Sequence, residues 1–149
     1  LALDHLVLKL SSESPAWQTY RRGKFDYCKT SAAFLVKPFT FMNDSGKAVA
    51  SAIRYFESSP SSLVVIHDDS DLSLGTFKIE KDRGSAGHHG VESVINTLGT
   101  ASFTRVRIGI RADGTRKAGE FVLSPIRNSD RDLLYSAFDG AEEKLIEKK

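Results

Sequence analysis

Ser62-Leu63-Val64-Val65-Ile66-His67-Asp68-Asp69-Ser70-Asp71-Leu72 is a short apolar run, rich in β-branched residues, that ends in three acids and a histidine. A run of this length and composition predicts a buried strand, of the parallel kind that is covered on both faces. In open α/β sheets the ligand crevice lies beyond the carboxyl ends of the strands. His67, Asp68, Asp69 and Asp71 therefore stand where chemistry is usually done. The bland alternative is a solvated acidic turn after a core strand.

Upstream of this strand, Ala48, Val49, Ile53 and Phe56 give a helical face from Gly46 to about Ser58, with Pro60 beyond its end. Asn43 or Asp44 suits the cap of that helix, and Phe41 and Met42 just before it read as core. Lys24–Lys29 alternates, turns at Thr30-Ser31 and resumes as an extended run over Ala32–Pro38, the pattern of a hairpin. Arg21-Arg22-Gly23-Lys24 reads as a solvated turn. Leu1, Leu3, Leu6, Val7 and Leu10 recur at helical spacing, with His5 a surface or boundary residue.

Downstream, Gly75–Lys81 alternates as a further strand. Gly84-Ser85-Ala86-Gly87-His88-His89-Gly90 is a small-residue loop that opens a helix from Val91 to about Leu98. A helix start of this kind can receive an anion, but the loop lacks the endings that mark a nucleotide site. Arg105-Val106-Arg107-Ile108-Gly109-Ile110 is a strand with both arginines on one face, because side chains alternate along a strand. Phe121–Pro125 closes a loop region. Ser129 or Asp130 then starts a C-terminal helix with Leu133, Leu134, Phe138, Ala141 and Leu145 inward.

The chain has 149 residues, 40% hydrophobic and 27% charged, enough for one domain with a sizeable core. Lys and Arg number 21 against 19 acids, a net charge of +2, so any basic surface has to come from local clustering. Cys28 is the only cysteine, which excludes an intrachain disulfide and a cysteine zinc cluster. No apolar run approaches the ~18 residues of a membrane span, and no signal-peptide pattern occurs. Without repeats, linkers or low-complexity tracts, residues 1–149 read as a single domain.

Lys37-Pro38-Phe39-Thr40-Phe41-Met42-Asn43-Asp44-Ser45-Gly46-Lys47-Ala48-Val49, His67-Asp68-Asp69-Ser70-Asp71-Leu72 and Gly84–Gly90, followed by Arg105–Ile110 and Phe121–Ser124, resemble in order and spacing the bacterial-type peptidyl-tRNA hydrolase family. The resemblance implies a single α/β domain whose twisted, mixed, mostly parallel sheet carries helices on both faces. It implies hydrolysis of the ester between a peptide and the terminal ribose of tRNA, which recycles tRNA in translation. The partner is then tRNA, with no cofactor, no metal and no membrane. A cytoplasmic location, and a monomer when the chain is full-length, are expected.

An ester carbonyl needs an aimed water, a base to take its proton and donors for the developing oxyanion. By the resemblance, Asn43 holds the peptide and the water, and Asp68 orients and supports the base. Phe41, Met42, His88 and His89 bind substrate, although His89 stands where the family carries an Asn. Lys78, Lys81, Arg105 and Arg107 face the tRNA. Arg107 matches the arginine with which the family clamps the 5′ phosphate, while Glu80 stands at the position of its partner lysine.

The family's base is a histidine in a Thr-Arg-His-Asn-x-Gly motif, preceded by a strand that lies beside Leu63–Ile66. Leu1-Ala2-Leu3-Asp4-His5-Leu6 aligns with the helix just after that motif, so the chain is expected to be N-terminally truncated and impaired in hydrolysis. One alternative is a non-catalytic tRNA-binding or RNA-binding relative. Another is a metal-dependent hydrolase using His67, Asp68, Asp69, His88 and His89. No G-x-S-x-G elbow supports serine chemistry.

Overall fold

A computed structural model describes residues 1–11, 16–111 and 125–147. In chain order these residues form α1 (Ala2–Leu10), β1 (Gln18–Tyr20), β2 (Phe25–Lys29), β3 (Phe34–Pro38), α2 (Ser45–Tyr55), β4 (Val64–Ser73), β5 (Phe77–Lys81), α3 (His89–Leu98), β6 (Thr104–Arg111) and α4 (Asn128–Glu147). Phe121–Ser124, expected to close a loop, lies outside the described residues.

The architecture is α/β with mixed strand pairing. Two three-stranded sheets form, in the orders β1-β2-β3 and β4-β6-β5. The expected mostly parallel sheet is corrected on this point: among the described pairs only β4–β6 is parallel, and β1–β2, β2–β3 and β5–β6 are antiparallel. Connection length explains the difference. β2 and β3 are joined by a tight turn at Thr30–Ala33, which forces an antiparallel pair, whereas β4 reaches β6 through α3 and can run parallel to it. The short β1, only Gln-Thr-Tyr, has no apolar alternation to announce it.

Alternation along the second sheet sends apolar side chains to both faces. Val106, Ile108 and Ile110 of β6 pack against Leu134, Phe138 and Ala141 of α4. On the other face Leu63 and Val65 meet Val91 and Val94 of α3, with Phe103 fully buried between them. Truncating Phe103 to Ala there should cost about 3–5 kcal/mol. Leu133, expected inward, is half-exposed instead. The buried stripe of α4 runs through Leu134, Ala137, Phe138 and Ala141 at helical spacing, and Leu133 falls just beside it.

α1 joins the two sheets. Its Leu6 and Val7 pack on Cys28 of β2, Leu35 of β3 and Ile66 of β4. The opposite side of α1 is tied to α4: His5 Nε2 lies 2.7 Å from Asp139 Oδ1, and the His5 ring stacks on Tyr135 with centroids 4.4 Å apart. Lys9 reaches both Asp139 at 3.0 Å and Glu142 at 2.9 Å. His5 is therefore a partly buried contact between α1 and α4.

Candidate functional site

The decisive strand is longer than its apolar run. β4 continues through His67, Asp68, Asp69 and Asp71 to Ser73, because β6 continues beside it to Arg111. Pairing is regular to Asp69↔Gly109 and shifts between Asp69 and Ser73. The acids thus lie on an irregular strand end rather than in a loop.

Asp68 meets His88 there. His88 is the N-cap of α3, and its Nδ1 accepts the Val91 N–H at 3.2 Å. A nitrogen that accepts carries no proton, so the ring proton is on Nε2, which lies 3.3 Å from Asp68 Oδ1 and donates to it. This hydrogen bond holds the Asp68 carboxyl below the ordinary carboxylate value, against the burial that raises it. His67 lies beside the pair, its Nδ1 2.8 Å from the Asp68 carbonyl oxygen. Its ring centroid is 4.5 Å from that of His88. Burial pushes the His67 imidazole down, and the Asp68 carbonyl only partly opposes it.

Asn43 sits in a single turn of 3-10 helix, Met42–Asp44, that packs on the start of α3. Two glycines allow the approach. A side chain on Gly46 would overlap the Ser93 carbonyl, and one on Gly90 would meet Met42 Sδ. The Gly46 N–H donates to Ser93 Oγ at 3.0 Å, so α2 starts on a hydroxyl from α3. Asn43 is exposed above this junction. Asp44 heads α2, without a capping hydrogen bond from its side chain. Phe41 and Met42, read as core from their residue type, are exposed instead, Phe41 to 84%. They form an apolar rim beside Asn43.

The basic residues divide into two groups. Lys78 and Lys81 are exposed and make no ion pair among the described residues. Arg105 is only 2% exposed, and its Nη2 donates to Glu80 Oε2 at 3.3 Å. Arg107 donates from Nε to Asp69 and from Nη1 to Glu80 Oε1 at 3.1 Å. Burial pushes the Asp69 carboxyl up, but Arg107 and the Asp71 N–H together hold it below its ordinary value. Arg107 is raised mainly by Asp69, while burial lowers Arg105 against the pull of Glu80. The two arginines share a face, as alternation predicts, yet Arg105 is enclosed and both are already paired with acids.

His89 is 83% exposed and lies 3.8 Å from Glu92, on the first turn of α3. A five-residue metal cluster does not assemble. His89 faces outward, Asp69 is tied to Arg107, and no group of three or more His, Cys, Asp or Glu side chains among the described residues could hold a metal ion. Sequence reasoning missed Glu80 and Asp69 as partners of the arginines, and Ser93 as the support of α2. Only the acid and hydroxyl residue types hinted at these roles.

The chain is similar to known proteins in sequence and in fold. The family described as Peptidyl-tRNA hydrolase matches residues 1–148. The chain is 35% identical over 148 residues to a peptidyl-tRNA hydrolase of Lactobacillus johnsonii, spanning 95% of this chain and 77% of that protein. It is 42% identical over 139 residues to one of Mycoplasma mycoides, spanning 93% and 75%. The crystal structure of peptidyl-tRNA hydrolase from Acinetobacter baumannii superposes with a TM-score of 0.78 over 93% of this chain and 71% of that one, at 22% identity, a likeness of fold.

Proposed function

The chain belongs to the peptidyl-tRNA hydrolase family, and from that premise we propose that it hydrolyses the ester of peptidyl-tRNA, releasing peptide and tRNA. One observation supports carrying the reading to particular residues: the Asp68 carboxylate, at a strand end, is held by His88, the cap of α3, and the turn that bears Asn43 packs on that same helix. An amide side chain at Asn43 offers an N–H to a developing oxyanion and a carbonyl to a water. Asp68 is the fixed negative charge that orients the attacking water and supports a cationic base. Phe41 and Met42 offer apolar surface to the peptide, and His88 borders the cleft. His89, turned toward Glu92, contributes at most to the rim.

The tRNA is read through its phosphates, which give affinity without sequence information. Lys78 and Lys81 are the exposed cations for that task. Arg107 can join them only by exchanging Asp69 or Glu80 for a phosphate, and Arg105 acts by holding Glu80. A cytoplasmic, monomeric protein is the setting that suits this substrate.

The chain's four histidines do not supply a base in an open position. Both nitrogens of His88 are engaged, the His67 Nε2 is buried, His5 sits between α1 and α4, and His89 faces outward. This favours, as the second reading, a non-catalytic relative that binds tRNA. The Asn43→Ala and Asp68→Asn variants separate the two. Under hydrolysis each lowers the rate of peptide release with tRNA binding kept; under binding alone neither changes a rate that is already at background.

A further inference from the structure

We propose that His67 is a positioning residue of this site: held as a neutral imidazole with its proton on Nδ1, it fixes the main chain at Asp68 and the ring of His88. The tautomer follows from geometry. The atom 2.8 Å from His67 Nδ1 is the carbonyl oxygen of Asp68, which can only accept, so Nδ1 is the donor. The Nε2 of a neutral ring is then a lone pair. It is buried and has no partner among the described residues. A second proton there would place a charge in a buried position that already faces the Arg105 guanidinium and the His88 ring, with Asp68 as the opposing charge.

His67 and His88 are thereby locked in opposite tautomers. His67 donates from Nδ1 to the main chain of Asp68, and His88 donates from Nε2 to its carboxylate. The two rings touch at 4.5 Å between centroids, inclined by 60°, so His67 also sets the plane of His88. Asp68 is gripped by one ring at its backbone and by the other at its side chain. This explains why a half-buried strand position holds a histidine where an apolar residue would fill the space with no orphaned nitrogen.

The tautomer and contact claims stand on geometry alone; only their kinetic consequence rests on the proposed hydrolysis. The test is long-range proton–nitrogen correlation spectroscopy of the four imidazoles in the nitrogen-15-labelled 149-residue chain at neutral pH. Expected is a protonated Nδ1 with bare Nε2 for His67 and the reverse for His88. His67→Leu should blur the single-tautomer signature of His88 and lower the maximal rate of peptide release by ~10–10²-fold with little change in KM, the scale on which misplaced groups act. His67→Asn, whose amide carries an N–H near the place of Nδ1, should restore the signature and most of the rate. A His67 that is charged or protonated on Nε2 overturns the proposal. So does a leucine variant that matches or exceeds the asparagine variant in both readouts. A wild-type chain that releases no peptide defeats the hydrolysis reading, while the spectra still decide the role of His67.

Discussion

Replacing Glu80 by Gln should weaken the fold and strengthen RNA binding in one step. Glu80 holds Arg105 at 3.3 Å and Arg107 at 3.1 Å. Arg107 keeps Asp69, but Arg105, 2% exposed, has no second carboxylate among the described residues. Breaking a buried pair from one side costs ~3–5 kcal/mol, because the remaining charge stays buried. Glu80 is itself 26% exposed, and the glutamine oxygen still accepts a hydrogen bond, so about 2–3 kcal/mol is expected. At roughly 2–4 °C per kcal/mol for a chain of this size, the melting temperature should fall by about 4–12 °C. The RNA effect has the opposite sign. Asp69, Glu80, Arg105 and Arg107 sum to zero charge, and the substitution leaves one positive charge beside Lys78 and Lys81. Affinity for tRNA should rise at low salt, and the salt dependence should steepen by about one ion. Thermal scans by circular dichroism and salt-titrated anisotropy with labelled tRNA measure both. A melting temperature within about 1 °C of wild type refutes the buried-charge reasoning, and unchanged affinity across salt removes this surface from the RNA interface.

Two further outcomes are expected. Gly46→Ala should destabilise the chain by at least ~1–3 kcal/mol, read from urea unfolding, because its methyl group overlaps the Ser93 carbonyl rather than a movable side chain; an unaffected midpoint would show that α2 and α3 can part at no cost. Acid should weaken the tie between α1 and α4: Asp139 is held below its unfolded value first by His5 and then by Lys9, so its contribution is present above the unfolded carboxylate pKa and is lost as pH falls through the lower folded value. The melting temperature should therefore drop on descent below about pH 4, less steeply in Asp139→Asn, and parallel curves for the two proteins would exclude this pair from the acid response.

Local pattern made much of this molecule legible. The hairpin β2–β3 shows as alternation around a turn, and the apolar run before His67 shows as a parallel strand. Its expected burial on both faces is corrected, because β4 is the outer strand of its described sheet, with Val64 41% exposed and Val65 and Ile66 only half-buried. Period-two alternation placed Arg105 and Arg107 together, but not their burial. Their partner Glu80 lies 25 residues before Arg105 on β5, and nothing local says that β5 pairs beyond β6 rather than beside β4. That same missing register hid the prevalence of antiparallel pairs. Phe41 and Met42 misled because apolar residues mark a core only on average, and a rim residue looks the same in sequence. His88 as the cap of α3 was equally hidden, since capping is the usual work of Ser, Thr, Asp and Asn.

The most direct test of the account is the rate of peptide release from peptidyl-tRNA in single turnover, with tRNA binding measured on the same samples. The 149-residue chain should bind tRNA and release peptide above the rate without protein. Release should be lost in Asp68→Asn with tRNA binding retained. Equal release by wild type and Asp68→Asn, or tightly bound tRNA with no release at all, would contradict it.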